Sequence, residues 1–255
     1  VPWDEANVHI LTHTLHYGLG VFEGIRCYDT DEGPAVFRLD AHMERFQNSA
    51  DLVKMDLPYS VDEMIDAVKL TIRENEMEGC YIRPLAYYGY GKMGLNPEGA
   101  PVQVAVAVWP WGSYLGEEGL EKGVRATITD WRRIHSKILP PHSKTVANYA
   151  NSILAKLDAL DRGYDEAILL NLDDNVSECP SENIFIVDDG DLITPPLKSD
   201  VLEGITRDSV MQMAEDMGVG VREEDFTEER LKKADEAFLT GTAAEVTPIR
   251  EVDGT

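Results

Sequence analysis

The sequence predicts an α/β protein with a small α+β domain over residues 1–109 and a larger α/β domain over 121–255. A chain of 255 residues is long enough for one large domain or two ordinary ones. Strand-like and helix-like patterns alternate in both halves, which argues against a single doubly wound sheet. Residues 110–120 lie in a segment rich in glycine and turn residues, and we interpret them as an interdomain loop.

The first half contains four strand-like runs and two helices. The strand-like runs are 20–28, 35–38, 81–90 and 102–108. Asp40 is the expected N-cap of a helix that continues to about Lys54. Ser60 begins a second helix, and Glu63 stands three residues later, where it completes a capping box.

The second half repeats this mixture of elements. Its strand-like runs are 124–131, 167–172, 183–187 and 191–194. Helices are predicted over 148–162 and 205–217, and the second of them ends at Gly218, a residue type that commonly follows a helix.

Charge excludes one class of partner. The chain has 47 acidic and 23 basic residues, which gives a formal net charge of −24. Nucleic-acid binding needs a basic surface, so no nucleic acid is expected as a partner. The acid is spread along the chain, which favours a halophile-like surface adapted to a salt-rich cytoplasm over that of an ordinary acidic protein.

The sequence also predicts where the protein is found and whether it binds a metal. No apolar run approaches the roughly 20 residues of a membrane span, and no signal peptide is recognisable. Three widely spaced cysteines without a CxxC pattern favour a reducing, cytoplasmic setting. His9 and His13 have helical chelate spacing, but they lie where a strand leads into a turn, and we expect no metal.

The segment 140–152 is the first candidate for chemistry. It places Lys144 between two prolines and the start of a helix. A lysine amine can form a Schiff base with an aldehyde cofactor and can later move protons to and from carbon. An isolated lysine before a helix is usually only a solvated charge, so other segments must support this interpretation.

Four other segments offer groups that would suit a phosphorylated pyridine cofactor. Glu178 stands beside a strand, where a carboxylate could hold the proton on a pyridine nitrogen. Residues 204–206 begin a helix whose free N–H groups could bind phosphate. The small-residue turn 240–245 allows close approach to an anion, and Arg45 could donate to phosphate oxygens.

Taken together and in this order, these segments resemble branched-chain amino-acid aminotransferases of the fold-type IV pyridoxal phosphate group. The resemblance covers essentially the whole chain. It is carried by HYGLGVFEGIR (16–26), HMERF (42–46), YIRPL (81–85), PWGSYLG (110–116), SKTVANYANS (143–152), SECPSENIF (177–185), LEGITRD (202–208) and GTAAEVTP (241–248). The family's sequences usually continue at both ends, so we expect this chain to be incomplete.

The resemblance implies a role for each matching residue. Lys144 would be the catalytic Schiff-base lysine, Glu178 the partner of the pyridine nitrogen, and Tyr149 the partner of the cofactor's phenolic oxygen. The other cofactor contacts implied are the phosphate ligands Arg45, Ile205, Thr206 and Thr242, with Leu202 against the ring.

Substrate contacts are implied in the same way. Tyr81, Thr242 and Ala243 would bind the α-carboxylate. An apolar pocket would be lined by Phe22, Met93, Leu95 and Trp111, and the distal carboxylate of glutamate would be bound by Arg83, Tyr17 and Tyr114.

The implied reaction is reversible transamination between branched-chain L-amino acids and 2-oxoglutarate, a reaction of branched-chain amino acid biosynthesis. The cofactor would be pyridoxal 5'-phosphate, and the protein a homodimer or an assembly of dimers. The alternatives are a D-amino-acid aminotransferase, an aminodeoxychorismate lyase of the same fold, or an inactive protein that binds the cofactor. The motifs YIRP and PWGSY favour the branched-chain type.

Overall fold

The computed structural model describes residues 1–112 and 115–255, and its backbone contacts divide them between two units. Unit 1 comprises residues 1–110 and 143–147, and unit 2 comprises 111–142 and 148–255. The sequence-based boundaries place Lys144 in the larger domain, whereas the structure groups residues 143–147 with the N-terminal unit. Within the described residues, no helix is both long and apolar enough to cross a bilayer.

Unit 1 is an antiparallel sheet with helices. Its helices are α1 (His13–Tyr17), α2 (Leu39–Leu52) and α3 (Val61–Glu74). Its strands are β1 (Gly20–Phe22), β2 (Ile25–Tyr28), β3 (Ala35–Val36), β4 (Cys80–Tyr88) and β5 (Val102–Trp109). The long strand β4 pairs with β1, β2 and β5. The core includes Met43 and Phe46 of α2, which pack with Ile25 and Ile82 of the sheet.

The two predicted helix starts in unit 1 have different outcomes. The capping box is confirmed, since the Ser60 side chain accepts from the Glu63 N–H and the Glu63 carboxylate accepts from the Ser60 N–H. The N-cap role predicted for Asp40 is wrong. The helix begins at Leu39 after Arg38, whose φ of 49° ends the preceding extended segment. Asp40 instead lies in the first turn, where a negative charge favours the helix dipole.

Unit 2 is built on a seven-stranded mixed sheet in the order β10-β9-β8-β11-β12-β6-β7. Its strands are β6 (Val124–Arg132), β7 (Glu166–Leu170), β8 (Asn183–Asp188), β9 (Asp191–Thr194), β10 (Val221–Glu223), β11 (Glu236–Gly241) and β12 (Glu245–Val252). Its helices are α4 (Gly116–Lys122), α5 (Asn148–Asp161), α6 (Ile205–Asp216) and α7 (Glu228–Leu231). Helix α4 occupies part of the segment predicted as an interdomain loop.

The centre of this sheet is apolar, and its strands position the site. Ile184 and Ile186 of β8, Ile168 of β7 and Leu239 of β11 are completely buried. Strand β8 pairs with β11 in an antiparallel register that sets Asn183 opposite Thr240. The β11–β12 hairpin then turns over residues 242–244.

Candidate functional site

The segment that carries Lys144 is fixed to unit 1 by backbone hydrogen bonds. The N–H of Phe22 donates to the Lys144 carbonyl at 3.1 Å, and the N–H of Val146 donates to the Gly20 carbonyl at 2.8 Å. The Lys144 N–H donates to Ser49 Oγ at 3.0 Å. The lysine backbone therefore has a defined position beside β1, and its half-buried side chain starts from a fixed point.

The Lys144 amine and the Arg83 guanidinium both lie near the Phe22 ring. Lys144 Nζ is 5.2 Å from the ring centroid, and Arg83 Cζ is 4.7 Å from it. Arg83 Nη2 donates to Tyr81 Oη at 3.2 Å, and the Trp109 ring lies 5.1 Å from that of Tyr81. Unit 1 thus brings together the predicted nucleophile, one apolar pocket residue and two predicted carboxylate-binding groups.

Gly24 makes room for the Tyr81 hydroxyl. A Cβ atom added at Gly24 would overlap Tyr81 Oη, so no residue with a side chain fits there unless the tyrosine moves. The Tyr81 side chain is only 5% exposed, which leaves it little freedom to move. The position of this hydroxyl therefore depends on a glycine in the strand-like segment beside it.

A buried ion pair holds Arg45. The Glu23 carboxylate, fully buried, accepts from Arg45 Nε at 2.7 Å and from Arg45 Nη2 at 2.8 Å. His42 Nδ1 lies 2.8 Å from the same carboxylate. Burial opposes ionisation of Glu23, but Arg45 and His42 together hold the pKa of Glu23 well below its ordinary value. This two-point contact orients the guanidinium that the sequence predicts as a phosphate ligand.

His42 is the neutral member of this group. Burial lowers the pKa of His42 below its ordinary value, against the opposing effect of Glu23. Since the Glu23 carboxylate can only accept, the His42 proton must be on Nδ1. Glu23 and His42 were not predicted as site residues, although both lie inside the quoted motifs.

Three predicted substrate residues of unit 1 are exposed. Tyr17, Met93 and Leu95 have exposed fractions of 40%, 38% and 87%. Met93 and Leu95 lie between β4 and β5, away from the regular strands. These side chains are therefore not enclosed in an apolar pocket within unit 1. Tyr114, predicted to contact the distal carboxylate, lies outside the described residues.

In unit 2, the Glu178 side chain is 4% exposed and surrounded by donors. Arg133 Nη2 lies 2.7 Å from Oε1, while Asn183 Nδ2 and the Leu202 N–H each donate to Oε2 at 2.9 Å. Donors of this kind stabilise the charged form of a carboxylate. Such a carboxylate can accept a hydrogen bond from a protonated pyridine nitrogen, so this part of the site fits the expected cofactor.

The predicted phosphate ligands of unit 2 lie at the start of α6 and in the β11–β12 turn. Ile205 and Thr206 open helix α6, and the N-terminus of a helix presents backbone N–H groups toward an anion. A Cβ atom at Gly204 would overlap Asn183 Oδ1, so the glycine allows this close packing. Among the residues that the structure describes, the buried Thr240 hydroxyl has no hydrogen-bond partner, and it lies just before the turn that carries Thr242. The donors at both places fit an anionic group.

The remaining predicted residues of unit 2 have partly accessible side chains. Tyr149 lies in the first turn of α5 and is half-buried, as are Leu202, Thr242, Ala243 and Trp111. Asn183 and Arg133, which contact Glu178, were not predicted. Asn183 lies in the motif SENIF and could have been found there, whereas Arg133 lies in none of the quoted motifs.

The three N-terminal histidines make contacts other than metal ligation. His13 Nε2 is 2.8 Å from the Gly94 carbonyl, and His16 Nε2 is 2.8 Å from the Ile10 carbonyl. The His9 ring stacks on Tyr90 with centroids 4.0 Å apart. Within residues 1–112 and 115–255, no cluster of three histidine, cysteine or acidic side chains could hold a metal ion.

Comparison with known proteins gives consistent matches over the whole chain. Residues 20–252 match the family described as amino-transferase class IV. A branched-chain-amino-acid aminotransferase of Pseudomonas aeruginosa is 47% identical over 254 residues, which cover 100% of this chain and 82% of that protein.

Solved structures agree with this match. The crystal structure of the Escherichia coli branched-chain amino acid aminotransferase superposes with a TM-score of 0.98 at 45% identity, covering 100% of this chain and 84% of the other. The enzyme of the same name from Thermobaculum terrenum, in its PLP-bound holo-form, superposes with a TM-score of 0.91 at 37% identity, covering 99% and 83%.

Proposed function

Because the chain belongs to the amino-transferase class IV family, we propose that it is a pyridoxal phosphate-dependent branched-chain amino-acid aminotransferase. It exchanges the amino group of leucine, isoleucine or valine with 2-oxoglutarate, reversibly. The observation that carries the proposal is the placement of the Lys144 amine and the Arg83–Tyr81 pair around the Phe22 ring. That group combines a nucleophile with an apolar surface and carboxylate-binding donors.

Bound pyridoxal phosphate supplies an aldehyde for the amine and a ring that withdraws electrons from the substrate carbon. In our proposal, Lys144 and Tyr81 act from unit 1. The Lys144 amine would hold the cofactor through its aldehyde, and the free amine would take a proton from the substrate Cα. Tyr81 binds the α-carboxylate that all the substrates share.

Unit 2 would orient the ring and the phosphate. Glu178 would keep a proton on the pyridine nitrogen, and Tyr149 would donate to the phenolic oxygen. Leu202 would contact the ring. The phosphate contacts are Ile205, Thr206 and Thr242, together with Arg45 of unit 1. Thr242 and Ala243 also donate N–H groups to the substrate carboxylate.

Substrate choice depends on an apolar surface and one cation. Phe22 and Trp111 contact a branched aliphatic side chain, and Arg83, with Tyr17 and Tyr114, binds the distal carboxylate of glutamate. Met93 and Leu95 are exposed in this chain, and a second copy of the chain would cover them and complete the apolar pocket. We therefore include a homodimer, or an assembly of dimers, in the proposal, and we place the enzyme in the cytoplasm.

The test is a coupled assay of the purified protein with L-leucine, L-valine, D-alanine and aminodeoxychorismate. We expect turnover of the two L-amino acids with 2-oxoglutarate and none of the other two compounds. A Lys144→Ala variant is the control for contaminating activity. Turnover of D-alanine or aminodeoxychorismate alone would contradict the assignment, and would indicate a related enzyme of the same fold.

A further inference from the structure

Two buried glutamates on the same loop of unit 2 have different surroundings. Glu178 and Glu182 are 4% and 3% exposed. Glu178 is paired with Arg133. Glu182 instead accepts from the hydroxyl and N–H of Ser181, and it has no ion pair among the residues that the structure describes. Both glutamates are thus buried, but of the two only Glu178 is paired with a cation among the described residues.

Glu182 shows what burial without a cation does to a carboxyl group at this place. Burial, followed by the charge of nearby Glu166, raises the pKa of Glu182 to about 8. Glu166 itself is matched by Lys156, whose Nζ lies 2.6 Å from its Oε2. A protonated carboxyl group has no charge with which to hold a proton on a pyridine nitrogen. A cation beside Glu178 therefore favours the charged form that the chemistry proposed for Glu178 requires.

Arg133 is held in place by contacts to three parts of unit 2. It follows the last residue of β6, and its N–H donates to the Leu170 carbonyl at 2.8 Å. Its Nε donates to the Asp200 carbonyl at 3.3 Å. The side chain is 7% exposed, and Nη2 reaches Glu178 Oε1 at 2.7 Å. The planar guanidinium is therefore fixed while it contacts one oxygen of the carboxylate.

We propose that Arg133 is a positioning residue for transamination: it keeps Glu178 charged and oriented, so that Glu178 can hold the proton on the pyridine nitrogen. This inference rests on the role proposed above for Glu178. Arg133 acts through Glu178, and its contribution should disappear when the glutamate is replaced.

The test uses the holoenzyme and five variants. Arg133→Met removes the cation, Arg133→Lys retains one, and Glu178→Gln removes the carboxylate. Arg133→Met is also made in the Glu178→Gln background. Arg132→Met is the matched control, since Arg132 precedes Arg133 but pairs with Asp174, whose side chain is 75% exposed.

The first readout is the ¹⁵N NMR shift of the ring nitrogen in enzyme loaded with ¹⁵N-labelled pyridoxal phosphate. We expect a protonated nitrogen in the wild type, Arg133→Lys and Arg132→Met, and an unprotonated one in Arg133→Met and Glu178→Gln. A protonated nitrogen in Glu178→Gln would contradict the role proposed for Glu178. A protonated nitrogen in Arg133→Met alone would overturn the inference on Arg133 and leave the proposed function standing.

The second readout is a double-mutant cycle on kcat. Arg133→Met should lower kcat by about 10- to 100-fold, a loss typical of residues that orient a functional group. In the Glu178→Gln background the same change should cost less than about threefold, because the two residues act as one unit. The double variant leaves no unpaired buried charge, so it remains informative if Arg133→Met alone does not fold. A further loss of about tenfold or more in that background would overturn the inference.

Discussion

Lys144 is the residue on which the proposed chemistry depends, and its backbone is tied to β1 and to Ser49. We expect purified protein to be yellow, and borohydride reduction to fix a pyridoxyl group on one peptide. Peptide mapping by mass spectrometry checks the position. Labelling of a peptide that does not contain Lys144 would show that another amine is the nucleophile.

In the proposed function, Arg83 would allow one pocket to accept both a branched aliphatic chain and glutamate. An apolar pocket alone would reject glutamate because of the cost of desolvating its distal carboxylate. The guanidinium lies over the Phe22 ring and contacts Tyr81, as expected for two residues that share a strand face. We therefore expect Arg83→Met to weaken use of glutamate and 2-oxoglutarate far more than use of leucine.

The difference should be about 2–5 kcal/mol in kcat/KM if the charge pair is desolvated. It is measured from steady-state kinetics with both substrates. An equal loss for glutamate and leucine would mean that Arg83 supports the structure of the site and does not bind the distal carboxylate.

Gly24 sets the position of the Tyr81 hydroxyl. Gly24→Ala would push this hydroxyl away, because the new Cβ would overlap it. Since every substrate has an α-carboxylate, we expect kcat/KM for leucine and glutamate to fall together, by about 10- to 100-fold. Gly79→Ala is the control, because a Cβ there meets its neighbours only at 3.6 Å or beyond. Unchanged kinetics in Gly24→Ala would remove Tyr81 from the carboxylate site.

The loop between β7 and β8 contains a carboxyl group that titrates far from its ordinary range. Because it is buried and lies near Glu166, Glu182 keeps its proton in the folded protein up to a pKa of about 8, against 4.5 in an unperturbed chain. Between these values the unfolded state loses this proton and the native state retains it. The contribution of Glu182 to the free energy of unfolding therefore falls as pH rises from about 4.5 to about 8.

Glu182→Gln is uncharged at every pH, so it should remove this dependence. We expect the stability of the variant relative to wild type to increase steadily between pH 5 and pH 8, measured by denaturant unfolding of the apoenzyme. Glu229→Gln, at an exposed position on α7, is the control and should show a flat difference. A flat difference for Glu182→Gln would mean that Glu182 ionises normally.

Elements governed by local rules could be predicted from the sequence, and those governed by distant contacts could not. The capping box at Ser60 needs only four consecutive residues, and it forms as predicted. The predicted start of α2 is wrong because Arg38 adopts a left-handed backbone conformation, which is uncommon for arginine and cannot be predicted from its residue type. The segment around Lys144 joins unit 1 through an isolated bridge between Thr145 and Val21 of β1, two residues that are far apart in sequence.

The same division holds for the candidate site. Lys144, Tyr81, Arg83 and Glu178 could be named because each lies in a motif that the resemblance covers. Their partners could not be named, since the contact between Arg133 and Glu178 depends on how β6 and the β7–β8 loop pack together. One sequence does not show which positions vary together, so it gives no signal for a contact between residues this far apart in sequence.

At the scale of the whole molecule, charge is the dominant property. With a net charge of −24, the acidic side chains repel one another in dilute buffer and destabilise the folded state. At about 1 M salt the Debye length falls to roughly 3 Å, so this repulsion is screened. We therefore expect the thermal midpoint and the dimer content to rise between dilute buffer and molar KCl. Calorimetry and sedimentation measure the two quantities, with sucrose as an uncharged control. A flat or falling midpoint would favour an ordinary acidic protein.

The division of unit 1 into residues 1–110 and 143–147 has a consequence for synthesis of the protein. When residues 1–110 have left the ribosome, all of unit 1 has emerged except the five residues 143–147, which contain Lys144. Until residue 147 has emerged, strand β1 lacks the partner to which Val21 and Phe22 are bonded. The nascent chain thus exposes an incomplete sheet edge, and the segment that contains Lys144, the proposed nucleophile, is the last piece of unit 1 to arrive.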